Sequence, residues 1–171
     1  LSIRRQRQMC IRDSYIVVVN IQALGSYNVV FIVGLPGSGK THLGNLICSH
    51  SGRLLIDDPK RAPKLEPGVK YVVTDPHLCN PETFLQVSKL YPSAFYYLFE
   101  NDIGQCWANI QKRSDGRDIT YEYLLKLSNR YNPYNYHNII ISPMVHRTCA
   151  TNASWHWLVP NSTIIEVYHG N

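Results

Sequence analysis

The sequence predicts an α/β fold of three layers: a mostly parallel, five-stranded sheet with helices on both faces. Two observations predict it. From Tyr27 onward, short β-branched apolar runs alternate with segments of helical period, the pattern left by strand–helix–strand units whose strands are buried on both faces. The first of these runs leads directly into a glycine-rich stretch and then an amphipathic segment, the order in which a parallel strand hands the chain to a helix. With 171 residues and 44% hydrophobic content, the chain can bury one sizeable core and has little room for a second.

Each element has its own local reason. "YNVVFIVG" (27–34) is the first expected strand, and Leu43, Leu46 and Ile47 then recur at i, i+3, i+4 spacing, which predicts a helix from near Lys40. "RLLID" (53–57) is the second strand. The stretch 58–68 contains Pro59, Pro63 and Pro67 and reads as a loop. "VKYVVTD" (69–75) is the third strand; Asn80, Pro81 and Glu82 then supply a cap, a first-position proline and a first-turn acid for a helix with Phe84, Val87 and Tyr91 on one face. "SAFYYLFE" (93–100) is the fourth strand. Asp102 and Gln105 match a capping box for a helix with the stripe Ile103, Trp107 and Ile110, which Gly116 ends or interrupts. A further helix is expected from about Thr120, with Tyr121, Leu124 and Leu125 facing inward and Glu122 and Lys126 paired along it. "HNIIIS" (137–142) is the fifth strand, and the tail from Pro143 offers strand-like pieces at "SWHWLV" and "TIIEVY".

Composition narrows the function classes. The first 14 residues carry four arginines and one aspartate, so +3 of the net charge of +5 lies there and +2 on the remainder, too little for a nucleic-acid footprint. This opening lacks apolar periodicity and an initiator methionine. Residues 1–26 are therefore expected to be an extension, disordered or an adapter or translation artefact, and 27–171 the domain. Apolar runs are strand-sized, so no membrane partner is expected. The five cysteines are scattered without metal-ligand spacing and read as free thiols of a cytoplasmic protein, in which the sequons at Asn152 and Asn161 are chance matches.

Residues 34–41, "GLPGSGKT", fit GxxxxGK[ST] at every fixed position, between a strand and a helix. Gly34, Pro36, Gly37, Ser38 and Gly39 form a loop whose backbone N–H groups can turn inward around a phosphate. The helix N-terminus adds its positive end, Lys40 spans the β and γ oxygens of ATP, and the Thr41 hydroxyl ligates Mg²⁺. Neither a guanine-reading element nor the length of a helicase or motor is present.

In an open parallel sheet, ligands sit beyond the carboxyl ends of the strands. Asp57 and Asp58 end the second strand and Asp75 the third. A carboxylate there can take a hydroxyl proton during phosphoryl transfer or hold Mg²⁺ through water, although Asp58 before Pro59 also suits a turn. Arg113 and Arg117 flank a glycine and can close over ATP. "RYNPYNYHN" (130–138) reads as a packed tyrosine-rich connection with base stacking as the rival role, and His42 and His77 read as polar surface.

Together, "GLPGSGKT", "IDD", "VVTDPHLCNPETF" and "FENDIGQCWANIQKRSDGRDITYEYLLKLSNRY" resemble the kinase domain of phage-type polynucleotide 5′-hydroxyl kinases, within the adenylate-kinase-like group of P-loop NTPases. The resemblance spans about residues 27–135. It implies a P-loop NTPase fold with ATP and Mg²⁺ as cofactors, Lys40 and Thr41 as phosphate and metal contacts, and Asp57 as general base with Asp58 the runner-up. It further implies that Arg113 and Arg117 are lid arginines, Asp75 supports the metal or acceptor side, and Arg61 holds the acceptor. The implied acceptor is a nucleic-acid 5′-hydroxyl, a nucleotide or a nucleoside; a small-metabolite kinase and a non-catalytic ATP-binding regulator are the alternatives. One departure is plain: the family places a long helical segment between its second and third strands, and here only 58–68 fill that space.

Overall fold

The computed structural model describes residues 23–113, 117–136, 139–141, 145–149 and 152–156. Its centre is a five-stranded sheet in the order β2-β3-β1-β4-β5, formed by β1 (Val29–Val33), β2 (Leu54–Asp57), β3 (Tyr71–Thr74), β4 (Phe95–Phe99) and β5 (Ile139–Ile141). All four pairings are parallel, as the two-sided apolar runs require. A separate antiparallel hairpin joins β6 (Val145–Cys149) to β7 (Asn152–His156); "TIIEVY" and residues 1–22 lie outside the described residues.

Among the described residues, four helices cover the sheet: α1 (Lys40–Ser51), α2 (Pro81–Leu90), α3 (Ile103–Lys112) and α4 (Tyr121–Ser128). The period of two along β1 divides the core between the faces. Val30 and Ile32 pack with Leu43 and Ile47 of α1. Val29, Phe31 and Val33 pack with Phe84 and Val87 of α2, Cys106 and Ile110 of α3, and Leu124 of α4. The result is the expected three-layer arrangement.

The starts of the helices follow local signals. Asn80 accepts from the Glu82 N–H ahead of Pro81, Asp102 from Gln105, and Thr120 from Tyr123. The capping box at α3 is only half formed: the Asp102 N–H donates to Glu100 O at 3.0 Å, and the Gln105 amide donates to Asn109 at 3.0 Å. On α4, Leu124 is buried, but Tyr121 and Leu125 are exposed, so this helix gives the core only a narrow apolar edge. Gly116 lies outside the described residues.

The folded unit reaches upstream of the expected boundary at Tyr27. Residues Ala23–Ser26 form a 3₁₀ turn whose Leu24 is 1% exposed and packs with Val30, Ile47 and Phe99. Buried Arg53 fastens this turn: its guanidinium donates to the carbonyls of Leu24, Tyr27 at 2.8 Å and Asn28 at 3.4 Å, while Lys70 Nζ reaches Gly25 O at 2.5 Å. An all-polar set of ties to backbone carbonyls explains why apolar periodicity gave no sign of it. Leu24→Ala should therefore destabilise the protein by about 2–5 kcal/mol, the range for emptying a core leucine site. Urea denaturation measures this, and an unchanged midpoint would show that the turn is dispensable.

Candidate active site

The loop after β1 adopts the form a phosphate needs. Gly37 and Gly39 have φ of 85° and 101°, in the region that L side chains rarely adopt. Space decides the matter at Gly37, where a Cβ would stand 2.3 Å from the Cys106 carbonyl oxygen of α3. No side chain caps α1 at Gly39, so the first N–H groups of the helix keep their donors for an anion. Lys40 is 6% exposed and its Nζ donates to Leu35 O at 3.0 Å, holding the ammonium inside the loop's curve. Burial lowers its pKa, opposed in part by Cys79 and Asp58. Ser38 Oγ is buried and has no hydrogen-bond partner among the described residues.

The loop is held from the β4 side. Asn109, buried on α3, donates from its amide to Gly37 O at 2.8 Å and accepts from Gln105. It stands at i+3 from Cys106 on the apolar stripe of α3, and a lone polar residue on such a stripe was the available sign of its role.

At the carboxyl ends of β2 and β3 the two adjacent acids diverge. Asp57 Oδ1 accepts from Thr41 Oγ1 at 3.0 Å and from the buried Thr74 hydroxyl. Asp58 turns the other way, at φ 47°, with its N–H bonded to Thr74 O at 2.8 Å. Its side chain lines a cleft of about 250 Å³ together with Pro36, Gly37, Gly39, Lys40, Thr41, Arg113 and Arg117. Burial raises the Asp58 pKa, Asp57 and Asp75 add to the rise, and Lys40 and Arg117 oppose it. Arg117 approaches both acids, Asp57 Oδ2 at 3.9 Å and Asp58 Oδ2 at 3.6 Å.

The remaining expected residues separate. Asp75 caps the 3₁₀ turn Pro76–Cys79 by accepting from the His77 N–H. His77 itself lines the cleft with Ile119 and Tyr123, although its sequence context suggested plain surface. Arg61 is exposed on the connection between β2 and β3 and is not among the residues lining the cleft. Tyr131 is buried with its hydroxyl on Phe99 O at 2.5 Å, and Tyr136 packs on Phe84, so both serve the core. Cys79 and Cys106 are buried thiols beside the loop, each pushed up to about 12 by burial, which keeps them protonated and unreactive.

These residues fit a nucleotide and its cation. The uncapped N–H groups at the start of α1 and the Lys40 ammonium match a phosphate chain. Thr41 and Asp57 supply hard oxygens beside it, and Mg²⁺ takes few protein ligands when phosphates complete its shell. No cluster of three or more metal-ligating side chains occurs among the described residues. Nor is any helix there long and apolar enough to cross a membrane.

The comparisons agree with this architecture. The α/β fold is shared with a gluconokinase from Sinorhizobium meliloti 1021, which superposes with a TM-score of 0.54 at 12% identity, over 69% of this chain and 83% of its own. By sequence the chain belongs to the same family as the uncharacterized protein R277 of Acanthamoeba polyphaga mimivirus, with 34% identity over 122 residues that cover 63% of this chain and 88% of that protein. No family model matches the sequence.

Two substitutions test the cradle. Gly37→Ala should abolish ATP binding, since its Cβ meets backbone rather than a movable side chain. Asn109→Leu leaves the Gly37 carbonyl unsatisfied, a loss of about 1–3 kcal/mol, and should weaken ATP binding about tenfold in a calorimetric titration. Unchanged affinity in either variant would contradict the assignment.

Proposed function

We propose that the protein is an ATP-dependent phosphotransferase that moves the γ-phosphate to a hydroxyl of a small acceptor: a nucleoside, a nucleotide or another hydroxylated metabolite. The observation that carries this reading is the convergence of Lys40, Thr41, Asp58, Arg113 and Arg117 on one cleft, with Asp57 bonded behind Thr41. A nucleotide-binding loop alone serves many activities; a second carboxylate aimed into the same cleft is what an acceptor hydroxyl needs.

The geometry supports exchanging the roles that the resemblance gave the two acids. Asp57 is engaged by Thr41 and Thr74 and suits the metal side. Mg²⁺, when bound, would neutralise charge on the phosphate oxygens. Asp58 lines the cleft and suits the base. As the acceptor oxygen attacks, its proton passes to the Asp58 carboxylate, the bond from the γ-phosphorus to the bridging oxygen breaks, and ADP leaves. Lys40 holds the phosphates, and Arg113 and Arg117 offset charge on the transferred group.

A small acceptor is favoured over a nucleic-acid end for a steric reason. Between β2 and β3 the chain forms no helix, and Arg61, the one arginine placed there to hold an acceptor phosphate, stands outside the cleft. The gluconokinase likeness makes gluconate a natural member of the acceptor panel alongside nucleosides, nucleotides, ribose, glycerol and 5′-hydroxyl oligonucleotides.

Transfer of radiolabel from ATP to this panel tests the function. Asp58→Asn should lower kcat at least a hundredfold with ATP affinity unchanged, and the fold should hold because Asn tolerates the left-handed backbone at this position. Asp57→Asn should weaken the Mg²⁺ dependence instead. A full loss of turnover in Asp57→Asn with unaltered Mg²⁺ dependence, and normal turnover in Asp58→Asn, would return the base to Asp57.

A further inference from the structure

The carboxyl end of β3 carries a pair of groups that the phosphate chemistry does not use. Asp75 Oδ1 accepts two bonds from one residue: the His77 backbone N–H at 2.8 Å and the imidazole Nδ1 at 2.9 Å. A carboxylate oxygen only accepts, so Nδ1 is the nitrogen that carries the proton. In the neutral ring, Nε2 then holds the lone pair.

The pair is also fixed in place. Pro76 presets the first position of the turn, and Leu78 and Cys79 behind His77 are each 1% exposed, so the turn cannot shift without opening the core. Asp75 is 13% exposed at its side chain and His77 61%; the carboxylate is seated in the turn, and His77 is among the residues lining the cleft. Since β3 lies between β2 and β1, His77 stands on the side where Asp58 leaves β2, across β1 from α3 and the Arg113 that follows it. On the phosphotransferase reading, with Asp58 as base, that is the acceptor side of the loop.

We propose that His77 is a specificity-determining residue of the acceptor site, its Nε2 accepting a hydrogen bond from a second hydroxyl beside the one that attacks, with Asp75 the positioning residue that fixes the ring's tautomer. The chemical class this fits is a small polyhydroxylated acceptor, a sugar, sugar acid or ribose-bearing molecule with a hydroxyl near the reacting one. His77 exchanges no proton in the reaction; the proton of the attacking hydroxyl still passes to Asp58. The proposal rests on the phosphotransferase reading, because only a reaction at an acceptor hydroxyl gives the second hydroxyl a place.

The test is steady-state transfer from ATP to the best acceptor of the panel and to its deoxy analogue lacking the neighbouring hydroxyl, with wild type, His77→Ala, His77→Gln and Asp75→Asn. For wild type, the deoxy analogue should raise acceptor KM about tenfold or more, because a site built to bond a hydroxyl rejects the analogue without it. His77→Ala should raise KM for the full acceptor by a similar factor, with kcat within about twofold, ATP KM unchanged and no further penalty for the deoxy analogue. His77→Gln, whose amide oxygen can accept in place of Nε2, should recover most of the loss, and Asp75→Asn should fall between wild type and His77→Ala. An unaltered acceptor KM in His77→Ala, a deoxy penalty that persists there, or a best acceptor with a single hydroxyl would each overturn the proposal while leaving the phosphotransferase standing. Wild type that transfers to no panel member would overturn both. Nitrogen-15 NMR of the imidazoles gives a reading independent of any acceptor: the Nδ1–H form is expected for His77, and the Nε2–H form would overturn the proposal.

Discussion

One carboxylate oxygen ties the site together. Asp57 Oδ1 accepts from Thr41 at the first turn of α1 and from Thr74 at the end of β3, so a single acceptor fastens the helix that follows the phosphate loop to two strands. The register makes this possible, because Asp57 and Thr74 are parallel partners and stand at the same level of the sheet. The constraint matters because β2 is a short edge strand, partly exposed along its length, and an element of that kind has little packing of its own to hold it. Tying its last residue to buried Thr74 gives the edge a fixed end.

The same tie separates two chemically identical neighbours. With Asp57 engaged, the Asp58 N–H closes onto Thr74 O and the backbone takes a left-handed turn at Asp58. Successive carboxylates thus point in different directions, one toward Thr41 and one into the cleft. Around them the charges balance at short range: Arg117 lies near both acids, and Lys40 is held under the loop by Leu35 O. Burying an ammonium is costly unless an anion or carbonyls compensate it, and here the Leu35 carbonyl does so for Lys40.

Much of this was legible in sequence, for reasons that can be named. The three layers followed from continuous β-branched apolar runs alternating with segments of helical period, and the strand-to-helix turn from the spacing of three glycines, a lysine and a threonine. The helix caps at Asn80 and Asp102 were equally plain, being local chemistry. The resemblance ranked Asp57 above Asp58, but residue type alone does not separate them, because the difference in their surroundings arises from a register and a backbone turn. Asn109 escaped because its partner, the Gly37 carbonyl, is 72 residues away. Leu24 escaped for a similar reason: its turn is held by Arg53 and Lys70 through backbone carbonyls, and these leave no pattern. His77 looked like surface until the turn capped by Asp75 brought it to the cleft wall.

The central claim is therefore a division of labour, in which Asp57 serves the metal and Asp58 the acceptor. A crystal structure with Mn²⁺ and a non-hydrolysable ATP analogue, the ion located by its anomalous scattering, tests it most directly. The account predicts the ion beside Thr41 Oγ1 and within direct or one-water reach of Asp57, with Asp58 outside the metal's shell and open to the cleft. An ion coordinated by Asp58, with Asp57 turned toward the γ-phosphate, would contradict it.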